Sequence, residues 1–416
     1  MDTLIPLLGL FKPQKKIHAT AKYVKKIAAE KKVSEGDKSP TDSDKSHESN
    51  TSHTLTDKGK PLSEITVDEL IKEADENALL LPPITHRLPV INRGLALMKR
   101  VLPLKEWQAM SEKDGVNISS LPINGLALPF IRGDGVINGN FTLQEVLSVI
   151  NNAYARKTWD ARFDSSQVLE FLDQTDLVVY NVQKGTFPVS ARELVTAITV
   201  VDDGDSLTYV AMSVEDEKNQ APPANGKVRA EILLAGWKLT KSSNGIFATY
   251  IVHVDPKGSI PNSIIRSIQT QTPLCIAGVS NYLANYGCLP FALVGSLKPS
   301  QGITFKSKEV TTSLYSMEYV ISELKENEKI EELGTLNIAL PAKNFASGVN
   351  VSLSCSNPDF AYNVTSVPKA EWNGLVSDNT SHILKIKCQP INEPQCVTLK
   401  IEPGSGERIL VNNKAL

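Results

Sequence analysis

The stretch Ile246-Phe247-Ala248-Thr249-Tyr250-Ile251-Val252-His253-Val254 constrains this chain more than any other. In a strand, alternate side chains point to opposite faces, and here both alternating sets are largely apolar, so both faces need cover. One face is expected against a helix and the other against a cavity. The stretch closes a series of strand-like runs, Val178 to Val182, Leu194 to Val201, Leu207 to Val214 and Val228 to Leu239, separated by Gly, Asp, Asn and Pro clusters. Consecutive strands with short connections predict a strongly curved antiparallel sheet. A long helix is predicted next, opened by Pro261 and carrying Ile264, Ile265, Ile268, Leu274, Ile276, Val279, Tyr282 and Leu283. Pro273 should kink it and Gly287 lies near its end.

Helical patterns come before the sheet. Thr66 and Glu69 have capping-box spacing, as do Thr142 and Glu145, and Ile91, Leu95, Leu97, Met98 and Val101 form an apolar stripe before Pro103. Residues 1–33 combine Leu7, Leu8, Leu10 and Phe11 with Lys12, Lys15, Lys16, Lys22, Lys25, Lys26, Lys31 and Lys32. Two readings stand for this leader: a basic amphipathic helix lying on an anionic leaflet, or a solvated segment. Residues 34–62 are rich in Ser, Thr, Asp and Lys and nearly free of apolar side chains, which predicts a disordered linker. Residues 63–87 read as a helical lead-in, 88–287 as the main domain and 288–329 as a connector. Short alternating runs such as Val349 to Ser354 and Cys396 to Ile401 make 330–416 a small β-rich domain.

The chain has 416 residues, with 44 basic against 46 acidic side chains, so no general basic surface argues for nucleic acid as a partner. Cys275, Cys288, Cys355, Cys388 and Cys396 form no CxxC pair and have no histidines at zinc spacing, so they read as reduced thiols and no metal or cofactor is expected. Cys388 and Cys396 would bridge only in an oxidising compartment. The Asn117, Asn140, Asn350, Asn363 and Asn379 sequons carry little weight without a secretory signal, and a cytoplasmic protein touching membranes at most peripherally is expected. The sheet region holds no clustered acid, base and nucleophile, and no Gly-x-Ser-x-Gly elbow, so no enzyme and no catalytic residues are expected. Arg132-Gly-Asp-Gly-Val and Glu402-Pro-Gly-Ser-Gly read as turns rather than phosphate loops, since no Gly-Lys-Ser/Thr follows.

Five blocks occur in order: Ala155-Arg-Lys-Thr-Trp-Asp160, Lys184-Gly-Thr-Phe-Pro-Val-Ser-Ala-Arg-Glu193, Gly226-Lys-Val-Arg-Ala-Glu231, Ala235-Gly-Trp237 and Val254-Asp-Pro-Lys-Gly-Ser-Ile-Pro261. Together they make about half the chain resemble the START domain, the lipid-transfer domain related to the steroidogenic acute regulatory protein. The resemblance implies an α+β helix-grip fold, a curved antiparallel sheet around a long C-terminal helix enclosing a tunnel for one lipid. The small β-rich domain follows it. It implies a non-enzymatic carrier of a phospholipid or sterol between membranes. The alternative is a lipid-sensing adaptor that engages a protein partner through the C-terminal domain.

The lid is expected to combine residues 261–287 with the Pro-rich loop 217–226. Arg192, Tyr250, His253, Ile264, Ile265, Ile268 and Leu274 are the candidate lipid-binding residues. For the three isoleucines, plain core packing is the competing reading. Trp159, Asp160 and Trp237 are expected to fix the sheet and helix ends rather than touch ligand. Arg192 and Arg229 either pair with acidic neighbours such as Asp160, Glu193 or Glu231, or reach a head group. His253 is either a structural histidine or a hydrogen-bonding partner for the lipid. Sterol-carrying relatives place a further arginine just after the position of Arg192. Here that neighbourhood reads Thr196-Ala-Ile-Thr-Val, which implies a hydroxyl-lined or apolar pocket.

Overall fold

Ten strands join into one sheet in the order β1-β2-β3-β10-β9-β7-β6-β5-β4, with the short β8 (Val228–Arg229) attached to β6. The strands are β1 (Gln108–Lys113), β2 (Val116–Leu121), β3 (Phe130–Asn138), β4 (Phe163–Phe171), β5 (Leu177–Gln183), β6 (Arg192–Asp202), β7 (Ser206–Ser213), β9 (Glu231–Ser242) and β10 (Gly245–Asp255). Within this sheet, among the described residues, only β8 runs parallel to its neighbour. The computed structural model describes residues 64–81, 88–173, 175–216, 218, 220–293, 303–321, 335–357, 360–372, 374–389 and 393–416. The expectations for the leader, the linker and part of the lid loop (Glu217 and Asn219) lie outside these residues.

Both faces of β10 are covered, as its double apolar pattern requires. On the outer face sit α1 (Val67–Ala78) and α2 (Pro89–Val101), whose Leu70, Leu97 and Met98 pack with Val210, Met212, Leu234 and Ile251. The Thr66/Glu69 capping box that starts α1 is present. On the inner face lie α3 (Leu143–Ile150) and α4 (Ala153–Trp159), followed later by the long helix. That helix runs as α5 (Asn262–Gln271), a tight turn Thr272–Leu274 containing Pro273, and α6 (Cys275–Tyr286), capped by Gly287. Proline lacks the donor that would continue the ladder, so the α-helix is interrupted there by the tight turn. Ile276, Val279, Tyr282 and Leu283 are buried, whereas α5 has no fully buried residue.

Strands β1 to β3 carry no strong apolar alternation, and Arg132-Gly-Asp-Gly-Val, read as a turn, lies within β3. The reason is contact from more than 130 residues away. A Cβ on Gly133 would sit 2.7 Å from the Pro273 side chain, and one on Gly135 would sit 3.1 Å from Ile276. The glycines let the helix kink touch the sheet backbone.

The C-terminal residues form two further sheets, β11-β14-β17-β16 and β12-β13-β18-β15-β19-β20. Their members are β11 (Phe291–Ala292), β12 (Ile303–Thr311), β13 (Leu314–Ile321), β14 (Thr335–Pro341), β15 (Val349–Cys355), β16 (Tyr362–Ser366), β17 (Thr380–Cys388), β18 (Gln395–Pro403), β19 (Ile409–Val411) and β20 (Lys414–Ala415). The 288–329 connector therefore needs correcting. It supplies β11 to β13, and Tyr315, Met317, Tyr319 and Ile321 alternate into the core opposite β18. The five cysteines are free, and Cys388 and Cys396 stand in different sheets.

One apolar cluster runs from Val146, Ile276 and Val279 into Tyr319, Leu336 and Leu399, so the β-rich part packs directly on the first domain. The joint is also polar. Glu145, fully buried and closing its own capping box with Thr142, accepts from Ser377 N (3.0 Å), Ser377 Oγ (2.9 Å) and Thr380 Oγ1 (3.1 Å).

Candidate functional site

Between the inner face of the sheet and α5 lies a cavity of about 680 Å³, within the range of roughly 300–1,000 Å³ typical of ligand sites. The strand register builds its floor. Tyr209, Trp237, Tyr250 and Gly133 stand in one row across β7, β9, β10 and β3. The row of Ala211, Ala235, Val252 and Ile131, two residues along each strand, is wholly apolar. Both rows line the cavity except at Gly133, where the lid kink rests. Trp237 stacks on Tyr250 with ring centroids 4.7 Å apart and meets Trp159 edge-on at 6.4 Å.

The roof is α5 with its flanking turns. Ile264, Ile265, Ile268 and Leu274 all line the cavity, and the isoleucines are only half-buried, as expected of side chains facing an open space. The Pro-rich loop 217–226 contributes no lining residue among those described; the loop 184–190 takes that place, with Lys184, Thr186, Val189 and Ser190. Its tip, Phe187, is 97% exposed. Arg192 lines the cavity edge but spends its guanidinium on backbone carbonyls, donating to Pro256 (3.0 Å), Lys257 (2.9 Å) and Ser190 (2.6 Å). It thereby pins the turn from which the lid helix starts.

The expectation of a charge-poor pocket fails at α4. Arg156 and Asp160 both line the cavity and pair with each other, Nε to Oδ2 at 3.0 Å and Nη2 to Oδ2 at 2.9 Å. Their i, i+4 spacing puts them on one helix face, while Asn152 caps the first turn of α4. The Arg156 guanidinium lies 4.8 Å from the Phe163 ring centroid, and Asp160 Oδ1 also accepts from Arg162 N at 3.1 Å. Burial works against the Arg156 charge. The Asp160 carboxylate outweighs it and holds the guanidinium above its ordinary pKa. Burial, opposed by the nearby Arg156 charge, pushes Tyr209 up to about 12 and, as the largest cause, raises Tyr250 further. Both phenols therefore stay protonated at neutral pH, and neither hydroxyl has a hydrogen-bond partner among the described residues. Asn181 and Thr196, which line the same cavity, meet at 3.4 Å.

Trp159, Asp160 and Trp237, expected only to fix element ends, thus face the cavity. Arg229 does not line it and pairs with the buried Glu193 at 2.8 Å. His253 is not a lining residue either. It points to the outer face, 5.1 Å from Phe130, where burial lowers its pKa. Apolar alternation cannot tell which side of a doubly covered strand is hollow. Periodicity does not single out Arg156 or Tyr209 as lining residues; the i, i+4 Arg/Asp pair in the Ala155–Asp160 block is the signal the sequence offers.

Residues 102–274 match the family model of the START domain. Ceramide transfer protein of Mus musculus is 23% identical over 181 residues, 39% of this chain and 29% of that protein. Its Homo sapiens counterpart is 22% identical over the same shares. An uncharacterised Pseudomonas aeruginosa protein is 23% identical over 171 residues, 41% of this chain and 82% of its own length. The similarity thus spans less than a third of the ceramide transfer proteins. Among solved structures, human StAR-related lipid transfer protein 5 gives a TM-score of 0.43 at 20% identity, covering 47% of this chain and 97% of that one. A STAR-related lipid transfer protein from Xanthomonas axonopodis gives 0.38 at 26%, covering 43% and 99%.

Proposed function

From the START domain matched at residues 102–274, we propose that this protein encloses one neutral, amide- or hydroxyl-bearing lipid and carries it between membranes. The observation that carries the reading is the Arg156–Asp160 pair beside the apolar row of Ala211, Ala235, Val252 and Ile131 on the cavity floor, flanked by the partnerless Tyr209 and Tyr250 hydroxyls. A self-neutralised ion pair with two phenols offers donors and acceptors to a polar but uncharged head group and no net charge to an ionic one. Ceramide, with one amide and two hydroxyls, has that chemistry, and it is the lipid named by the similar transfer proteins. The apolar walls supply the driving force. A tail of about fifteen carbons at roughly 0.8 kcal/mol per methylene loses on the order of 12 kcal/mol on exposure to water, so a carrier must enclose it.

Loading requires α5 to lift, because its side chains form the roof. Phe187 is the natural foot on the membrane, an exposed aromatic ring on the loop that edges the cavity, with the Lys184 cation on the same loop to meet lipid phosphates. Phe187→Asp is expected to lower vesicle association about tenfold or more, since burying such a ring is worth about 1.5–3 kcal/mol. Affinity for a soluble short-chain ceramide should not change. Co-sedimentation with vesicles measures the first and fluorescence titration the second.

One observation favours a second reading. Arg162 lines the cavity and has no carboxylate within ion-pair distance among the described residues, which suits a phosphate-bearing lipid. Extraction from donor vesicles holding labelled ceramide, phosphatidylcholine and cholesterol decides between them. Preferred transfer of ceramide supports the first reading, and preferred transfer of phosphatidylcholine, lost in Arg162→Gln, supports the second. Stoichiometric uptake without transfer would instead point to a lipid-sensing adaptor.

A further inference from the structure

The helix that carries the polar pair is held from two sides. Asn152 Oδ1 accepts from Ala155 N at 3.0 Å and so caps α4. The other end of the same amide, Nδ2, donates to Val310 O of β12 at 3.2 Å. The preceding helix is tied to the same body: Thr142 Oγ1 donates to Leu375 O at 3.0 Å, and Glu145 takes the hydrogen bonds of Ser377 and Thr380. The two rings Phe171 and Phe305, 6.0 Å apart, join β4 to β12 beside them. The C-terminal sheets therefore grip the α3–α4 hairpin at both helix N-termini, while the C-terminal half of α4 presents Arg156 and Asp160 to the cavity.

We propose that the C-terminal sheets set the head-group selectivity of the cavity by fixing the position of α4, with Asn152 as the positioning residue. The proposal rests on the lipid-cavity reading above. Asn152 touches no ligand in this scheme; it fixes where the Arg156 guanidinium and the Asp160 carboxylate stand relative to Tyr209 and Tyr250. A helix released from Val310 keeps its cap and its pair but loses its fixed distance from the sheet. The aliphatic walls, built on the sheet and on α5, do not depend on this tether.

Asn152→Ser separates the two bonds, because serine is a good N-cap but does not reach Val310. Two probes are titrated by fluorescence: a labelled short-chain ceramide, and the methyl ester of the same labelled fatty acid, which keeps the chain and lacks the amide and hydroxyls. The expected result is a ceramide Kd raised about tenfold with the ester Kd unchanged, and no additional loss when the change is made in an Arg156→Gln background. Equal weakening of both probes, no weakening, or losses that simply add in the double variant would overturn the proposal. Thermal unfolding accompanies each titration. Asn152→Asp, which also keeps an acceptor for Ala155 N and removes the donor to Val310, repeats the measurement if the serine variant does not fold. A wild-type protein that binds neither probe overturns the lipid reading itself.

Discussion

Asp160→Ala is expected to lower stability by about 1.5–3 kcal/mol, the usual worth of hydrogen bonds to a charged group, because the pair is only partly buried, with 29% of the Arg156 side chain and 18% of the Asp160 side chain exposed. The Arg156 guanidinium would be left among Trp159, Phe163 and the cavity wall with no carboxylate to offset its burial. The turn into β4 would also lose the acceptor for Arg162 N. Urea unfolding measures the loss. The double change Arg156→Leu with Asp160→Leu should recover most of it, since a buried pair exchanged for apolar side chains is often neutral or stabilising. The recovered protein should not bind ceramide. Stability and recognition would then separate at one pair of residues, which distinguishes a pair retained for a ligand from one retained for folding. A single variant within about 1 kcal/mol of wild type would mean that Arg156 finds water or another acceptor in the cavity.

Glu145→Ala is the second large effect, a loss on the order of 4 kcal/mol. The side chain has no accessible surface and accepts from Thr142 N, Ser377 N, Ser377 Oγ and Thr380 Oγ1. Each buried donor left without an acceptor costs about 1–3 kcal/mol, with some recovery if water enters. Because three of these four donors belong to Ser377 and Thr380 of the C-terminal part, the damage should be concentrated at the joint. Protease sites near Ser377 should open before those in the sheet around Trp237. Glu145→Gln, which keeps one acceptor oxygen, should lose about half as much. Denaturant curves and limited proteolysis followed by mass spectrometry measure both.

The parts of this fold that depend on local pattern could be read from the sequence, and the parts that depend on distant contact could not. The doubly apolar β10, the capping boxes at Thr66 and Thr142, and the helix broken at Pro273 follow from side-chain periodicity and backbone chemistry, and each is present. Strand β3 was hidden because its glycines answer to Pro273 and Ile276 rather than to their neighbours in sequence. The cavity-lining role of Ile264, Ile265 and Ile268 could not be told from core packing, because both need the same apolar spacing on α5. The two readings of His253, structural or lipid-bonding, could not be separated in sequence because alternation fixes which residues share a side, not what that side meets; the structure sets it beside Phe130, away from the cavity. The polar pair was visible as Arg156 and Asp160 at helical spacing, but only the curvature that brings α4 over the Tyr209–Trp237–Tyr250 row makes it part of a site. Phe187, flanked by glycine and proline turns, gives no periodic signal for its exposure.

The central claim is that one lipid occupies the space between the sheet and α5. Native mass spectrometry of the purified protein, incubated with ceramide-containing vesicles and then separated from them, tests it most directly. The account predicts a single added mass of one ceramide per chain, with none in the Arg156→Leu/Asp160→Leu variant. A folded wild-type protein that carries no lipid, or several loosely held ones that the double variant retains, would contradict it.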